Sequence, residues 1–113
     1  MNTLTFSVFS NKLLEVKHEN IPYQEKQSFI YFEIEETKYF LYKNLSCFKY
    51  QTQEEKVNMN FKDKIVNISL ISYSYTLDIK INKFMYETTK NTYKITYVLD
   101  SEPDVTKTFF ITL

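Results

Sequence analysis

Few side chains in this chain could perform chemistry, and their types narrow what that chemistry could be. His18 is the only imidazole and Cys47 the only thiol among the 113 residues. Nucleophilic catalysis needs a base within hydrogen-bond reach of the nucleophile. A Cys47–His18 dyad would have to be assembled across the fold, with no local motif to support it, and the plainer reading of a lone cysteine is a small buried hydrophobe. One histidine and one cysteine also cannot build the usual four-ligand zinc site. Asp100, Glu102 and Asp104 alternate as carboxylates do in a calcium loop, but the glycine that makes the sharp bend and the distal glutamate are missing, which leaves a polar hairpin turn. Glu33 and Glu35, with Glu36 beside them, oppose the face of Ile30, Phe32 and Ile34. Acid–base work would require their environments to push the two pKa values apart, and an exposed strand edge does not do so. These residues predict no catalytic site, no metal and no cofactor, and hence a protein that is not an enzyme.

The stretch Lys38-Tyr39-Phe40-Leu41-Tyr42-Lys43, followed by Phe48-Lys49-Tyr50, has no acid between Lys38 and Lys49. Aromatic rings beside lysines are how small barrels hold single-stranded nucleic acid. Arginine is absent, however, and with it the bidentate fork that reads guanine and grips phosphate. Fourteen lysines are balanced by fourteen aspartates and glutamates, so no global field attracts a polyanion or an anionic membrane. Strong nucleic-acid binding is not expected, and Tyr39, Phe40 and Tyr42 are better candidates for a face that meets a protein partner.

Glycine, alanine and tryptophan are absent as well. Without glycine there is no phosphate-cradling loop of the P-loop or dinucleotide-binding kind. The cause of the bias is simple: Phe, Tyr, Met, Ile, Asn and Lys, the residues with AT-rich codons, make up about half the chain. That composition reports an AT-rich genome, such as that of a low-GC bacterium or a phage, before it reports a task. A chain of this length forms one domain, 1–113, around one core. It begins without a basic segment and apolar run, and its longest aromatic–aliphatic cluster, Phe29 to Phe32, is too short to span a bilayer, so a cytoplasmic protein is expected. A single cysteine fits a reducing compartment.

The elements that must position these residues alternate with period two. Tyr73, Tyr75, Leu77, Ile79 and Ile81 alternate with polar residues, as do Tyr93, Ile95, Tyr97 and Leu99, and Val57, Met59 and Phe61. Further runs rich in aromatic and β-branched residues lie at 4–9, 28–36, 38–43, 65–71 and 105–112. Turns must be made without glycine, so breaks are expected where Asn and Asp occur: Asn11 (with Lys12, as a hairpin), Asn20 to Pro22, Asn44, Asp63, Asn82, Asn91 and Asp100 to Asp104. The pattern implies an all-β, antiparallel, single-domain barrel of about eight strands, with a β-sandwich as the alternative.

Four stretches carry a family resemblance. Tyr23-Gln24-Glu25-Lys26 leading into Phe29–Glu33, Val57-Asn58-Met59-Asn60-Phe61, Leu77–Phe84, and Lys94–Asp100 through Phe109–Leu113 follow one another as in the YwiB-like family of small proteins from low-GC Gram-positive bacteria, which the chain resembles from Tyr23 onward. The family usually has an arginine and a glycine ahead of the central strand, where this chain has Phe48-Lys49-Tyr50, and a glycine turn where it has Ile71–Ser74. The resemblance implies a calycin-like β-barrel without an assigned activity. Such barrels either fill their interior or hold one small ligand. The first expectation is therefore a binding protein for a small apolar or aromatic molecule, lined by Tyr75, Leu77, Tyr97 and Leu99. The alternative is an interaction module, such as a phage-encoded inhibitor or accessory subunit, that docks through Tyr39, Phe40 and Tyr42.

Overall fold

The computed structural model describes residues 2–113. Its strands are β1 (Thr3–Ser10), β2 (Leu13–Glu25), β3 (Phe29–Ile34), β4 (Thr37–Tyr42), β5 (Cys47–Gln51), β6 (Glu55–Asn60), β7 (Ile65–Leu70), β8 (Tyr75–Thr88), β9 (Thr92–Leu99) and β10 (Lys107–Thr112), with a 3-10 turn at Ile71–Tyr73. Each strand pairs antiparallel with its chain neighbours, and β1 also pairs with β10, so the hydrogen-bonded order closes on itself as an up-and-down barrel. The all-β antiparallel class agrees with the period-two pattern, but there are ten strands rather than about eight. The two strands missing from the runs are β2, which only the expected Asn11–Lys12 hairpin implies, and β5, whose five residues are too few for their alternation to stand out.

Contacts divide the chain into two compact units, one made of residues up to Pro22 together with Ile81–Leu113, the other of Tyr23–Lys80. Strand β2 pairs with β1 through Pro22 and with β3 from Tyr23 on, while β8 pairs with β7 up to Lys80 and with β9 from Ile81. Two of the expected breaks fall here and do not end a strand. Asn20 has φ 58° inside β2, where the register skips between Leu4 and Phe6 of β1, and Asn82 is the residue passed over between Ile81 and Lys83. Residues that tolerate unusual backbone thus make bulges within long strands rather than turns between short ones.

Turns without glycine put ordinary side chains into the left-handed region. Asn11 and Lys12, at φ 51° and 71°, make the expected two-residue hairpin loop, and the Asn11 Oδ1 accepts the Thr106 N–H at 2.9 Å. Glu35 and Glu36 do the same between β3 and β4 at φ 48° and 68°, and Leu45, Lys64 and Ser74 also have positive φ.

In the first unit, Phe6, Tyr97 and Phe109 pack ring to ring at 5.7–5.8 Å beside the fully buried Ile95 and Ile111. The second unit is a run of seven strands, β2-β3-β4-β5-β6-β7-β8. Its core face carries Ile30, Phe32, Leu41, Phe48, Val57, Met59 and Val66, all buried, with Tyr39 stacked on Phe32 at 4.9 Å and 10° between ring planes. The apolar alternation of Tyr73–Ile81 does not translate into burial. Ile81 is 1% exposed, but Leu77 is 42%, Tyr75 53% and Tyr73 81% exposed. Tyr73 lies in the 3-10 turn, and Tyr75–Lys80 has a strand neighbour on one side only, so these side chains lack the second flank that buries Val57 and Met59.

Candidate functional site

Because alternate residues of a strand point to opposite faces, the aromatic stretch of β4 is divided by its own backbone. Tyr39 joins the core of the second unit, stacked between Phe32 and Phe48 and tilted against Tyr50 at 5.9 Å. Phe40 and Tyr42 stand on the opposite, outer face with Phe29 and Tyr31: Phe29 lies 5.8 Å from Phe40 and 5.6 Å from Tyr42, and Tyr31 lies 5.1 Å from Phe40. All four rings are half-buried. Of the three candidates for an interaction face, the structure keeps Phe40 and Tyr42 together and sends Tyr39 inward.

Strand register continues that outer face as one row, Tyr31–Phe40–Lys49–Asn58–Asn67–Asp78. The row changes character along its length, from rings to a cation to amides to a carboxylate. The Lys49 ammonium sits 5.3 Å from the centre of the Tyr42 ring, a cation–π contact. Asn67 is oriented by donating its Nδ2 hydrogen to Asp78 Oδ1 at 2.6 Å, and its own Oδ1 accepts from Ser69 Oγ at 3.4 Å. Asn58, between them, differs: its Oδ1 is buried and accepts no hydrogen bond. Leaving such an acceptor unsatisfied costs about 1–3 kcal/mol.

A groove of 250 Å³ lies along this row, walled by Phe40, Lys49, Gln51, Lys56, Asn58 and Asn67. A second groove of 600 Å³ shares Gln51, Lys56 and Ser69 with it and runs on to Ile71 and Tyr75. Neither Lys49 nor Lys56 has an ion-pair partner among the described residues. The site therefore offers an aromatic wall, two cations, an unpaired acceptor and oriented amide groups. Burial, with the Glu55 and Tyr39 charges adding to it, pushes the Tyr50 hydroxyl up to about 12, so its ring stays neutral beside the groove.

Of the four residues expected to line an interior ligand, two lie in each unit. Tyr97 is buried and Leu99 half-buried in the first unit, where Tyr97 also borders a surface groove of 310 Å³ with Phe84, Met85 and Val98. Tyr75 and Leu77 are exposed in the second unit, and only Tyr75 borders a groove there. Sequence reading missed Asn58, Asn67, Gln51 and Lys56. Their one signal was polar residues recurring at every second position of β6 and β7, which is also what any solvated strand face shows.

His18 belongs to the first unit and Cys47 to the second, and burial pushes the Cys47 thiol up, away from the reactive thiolate. Glu35, Glu36, Glu54 and Glu55 line a separate groove of 410 Å³, yet no group of three or more metal-ligating side chains among the described residues could hold an ion. Among the described residues no helix is long and apolar enough to cross a membrane. No family model, curated protein or solved structure matches this chain.

Proposed function

We propose that this is a non-enzymatic binding protein whose ligand is a small planar or aromatic molecule carrying an anionic group, held on the outer face of the second unit. The observation that carries the reading is the unsatisfied Asn58 Oδ1 buried beside two lysines that lack acid partners. A ligand with an N–H or O–H donor would satisfy the oxygen once the Asn58 side chain turns it into the groove, its anionic group would face Lys49 and Lys56, and its ring would lie against Phe40. This moves the expected aromatic ligand from the interior, around Tyr97 and Leu99, to the outer groove. The closed up-and-down order of strands supports a calycin-like reading of the barrel. The single free thiol of Cys47 suits a reducing compartment, and we propose the cytoplasm.

A panel of aromatic carboxylates and phosphates, each with its neutral amide or alcohol counterpart, tests the reading by ligand-observed NMR. The anionic members should bind and lose binding in a Lys49→Gln, Lys56→Gln double variant. Neutral members that bind equally well, or binding unmoved by the double variant, would overturn it. A second reading rests on the four half-buried rings: a protein partner could cover Phe29, Tyr31, Phe40 and Tyr42 together. Phe40→Ala should weaken either kind of binding, whereas Tyr31→Ala should weaken only the second.

A further inference from the structure

An unpaired strand edge presents a row of backbone donors and acceptors that another strand can complete. Although the strand order closes, each pairing of β2 and β8 covers only part of the strand: in the first unit β2 up to Pro22 pairs with β1 alone, and β8 from Ile81 pairs with β9 alone. From Lys83 to Thr88, β8 pairs with β9 on one side, and on the other side no strand or backbone hydrogen bond meets it among the described residues. Along this stretch Met85 is 60% and Tyr86 52% exposed.

We infer that the β8 edge pairs antiparallel with the same edge of a second copy, about a two-fold axis through Met85. The argument is the register. With Met85 opposite its own counterpart, Lys83 falls opposite Glu87, and Glu87 opposite Lys83. Phe84 falls opposite Tyr86, and Asn82 opposite Thr88. Directly opposed residues of an antiparallel pair share a face. On one face the two methionines therefore meet at the axis, flanked by two Lys83–Glu87 ion pairs. On the other face, Phe84 and Tyr86, already 5.7 Å apart within one chain, form a four-ring cluster with the same pair from the second copy. Neither Lys83 nor Glu87 has an ion pair within the chain among the described residues, although Lys94 stands opposite Glu87 on β9. Moving the axis by one residue, to Phe84 or Tyr86, puts Lys83 opposite Met85 or Thr89 and loses the charge match. A residue-centred axis completes the ladder whichever way the Met85 backbone points, because outward-facing residues recur every second position on both copies.

The other edge is a poorer template for the same pairing. On β2, Glu15 is already engaged by Ser10 and by Lys107 at 3.0 Å, Lys17 is paired with Glu19 at 3.1 Å, and Pro22 and the left-handed Asn20 interrupt the edge. Symmetric edge-to-edge pairing closes on itself and stops at two copies when only one edge is competent.

The experiment is sedimentation equilibrium of the whole chain across a concentration series. It should show a species of twice the 13.7 kDa chain mass. Lys83→Glu places four carboxylates around the axis and should weaken association about tenfold or more, while Lys83→Glu combined with Glu87→Lys should restore it. Both positions are exposed, and circular dichroism confirms that the variants fold. In a Cys47→Ser background, Met85→Cys should give a covalent dimer under mild oxidation, because opposed Cα atoms in an antiparallel pair lie about 4.5–5.5 Å apart, within disulfide range. A chain that stays monomeric at high concentration, or a dimer indifferent to the charge reversal and not cross-linked through position 85, would overturn the inference.

Discussion

Replacing Glu35 by Asn and Glu36 by Gly should stabilise the protein, although both changes remove side chains from a visible hairpin. Both glutamates have positive φ, 48° and 68°, as the central pair of a two-residue loop between Ile34 and Thr37. This is the backbone that type I′ hairpins require and that Asn-Gly fits best. A residue with a Cβ loses about 1–2 kcal/mol in the left-handed region. Glycine removes that cost at position 36 but makes the unfolded chain looser by about 0.5–1 kcal/mol. Asparagine lowers the cost at position 35 without that entropy loss. The two changes together should gain about 1–2 kcal/mol, which for a chain of this size raises Tm by roughly 4–8 °C. They also separate the carboxylates that Glu33, Glu35 and Glu36 bring together. The control is Glu33→Gly, one strand position away and without a positive φ, which should lower stability by about 1 kcal/mol. Calorimetry on the double variant and the control decides it. A double variant no more stable than the parent, or a control that gains as much, would refute the argument from backbone strain.

Other consequences follow from burial and titration. Ile81→Ala should cost about 2–4 kcal/mol, while Leu77→Ala should cost under about 1 kcal/mol, because the first side chain is 1% and the second 42% exposed; urea denaturation of the pair checks this. Tyr50 has its pKa raised from 10 to about 12 by burial, so the folded state disfavours its ionised form. Its contribution is therefore complete below pH 10 and lost as pH rises toward 12, and Tyr50→Phe should flatten the fall in stability over that window when unfolding is followed by circular dichroism. Cys47, with its thiol pKa raised by burial, should react with iodoacetamide more slowly than a free thiol at neutral pH, and mass spectrometry of the timed reaction measures the rate.

The sequence made the fold class readable because period-two alternation is local. Val57 and Met59, or Ile95 and Tyr97, need no distant information to declare a buried face. What failed was the reading of Asn20 and Asn82. An asparagine that ends a strand and one that sits at a bulge within it look alike in the sequence, and only the partner strand's register tells them apart. Leu77 failed for a related reason, since burial of an alternating strand depends on having neighbours on both sides. The outer groove was hidden because its residues come from β4, β5, β6 and β7, up to 29 positions apart from Phe40 to Ser69, and become one surface only through register. Phe40 and Tyr42 were found because their ring types are conspicuous; Asn58 was not, because an amide on a strand is unremarkable until its oxygen is seen to be buried and unpaired.

The most direct test of the account is where a bound aromatic anion perturbs the protein. In amide-correlation NMR spectra titrated with an anionic member of the panel that binds, the largest shifts should fall on the side-chain amide of Asn58 and on the backbone of Phe40, Lys49 and Asn67, and Asn58→Leu should abolish them. Shifts centred instead on Tyr97 and Leu99, or unchanged in the Asn58 variant, would contradict the placement of the site on the outer face.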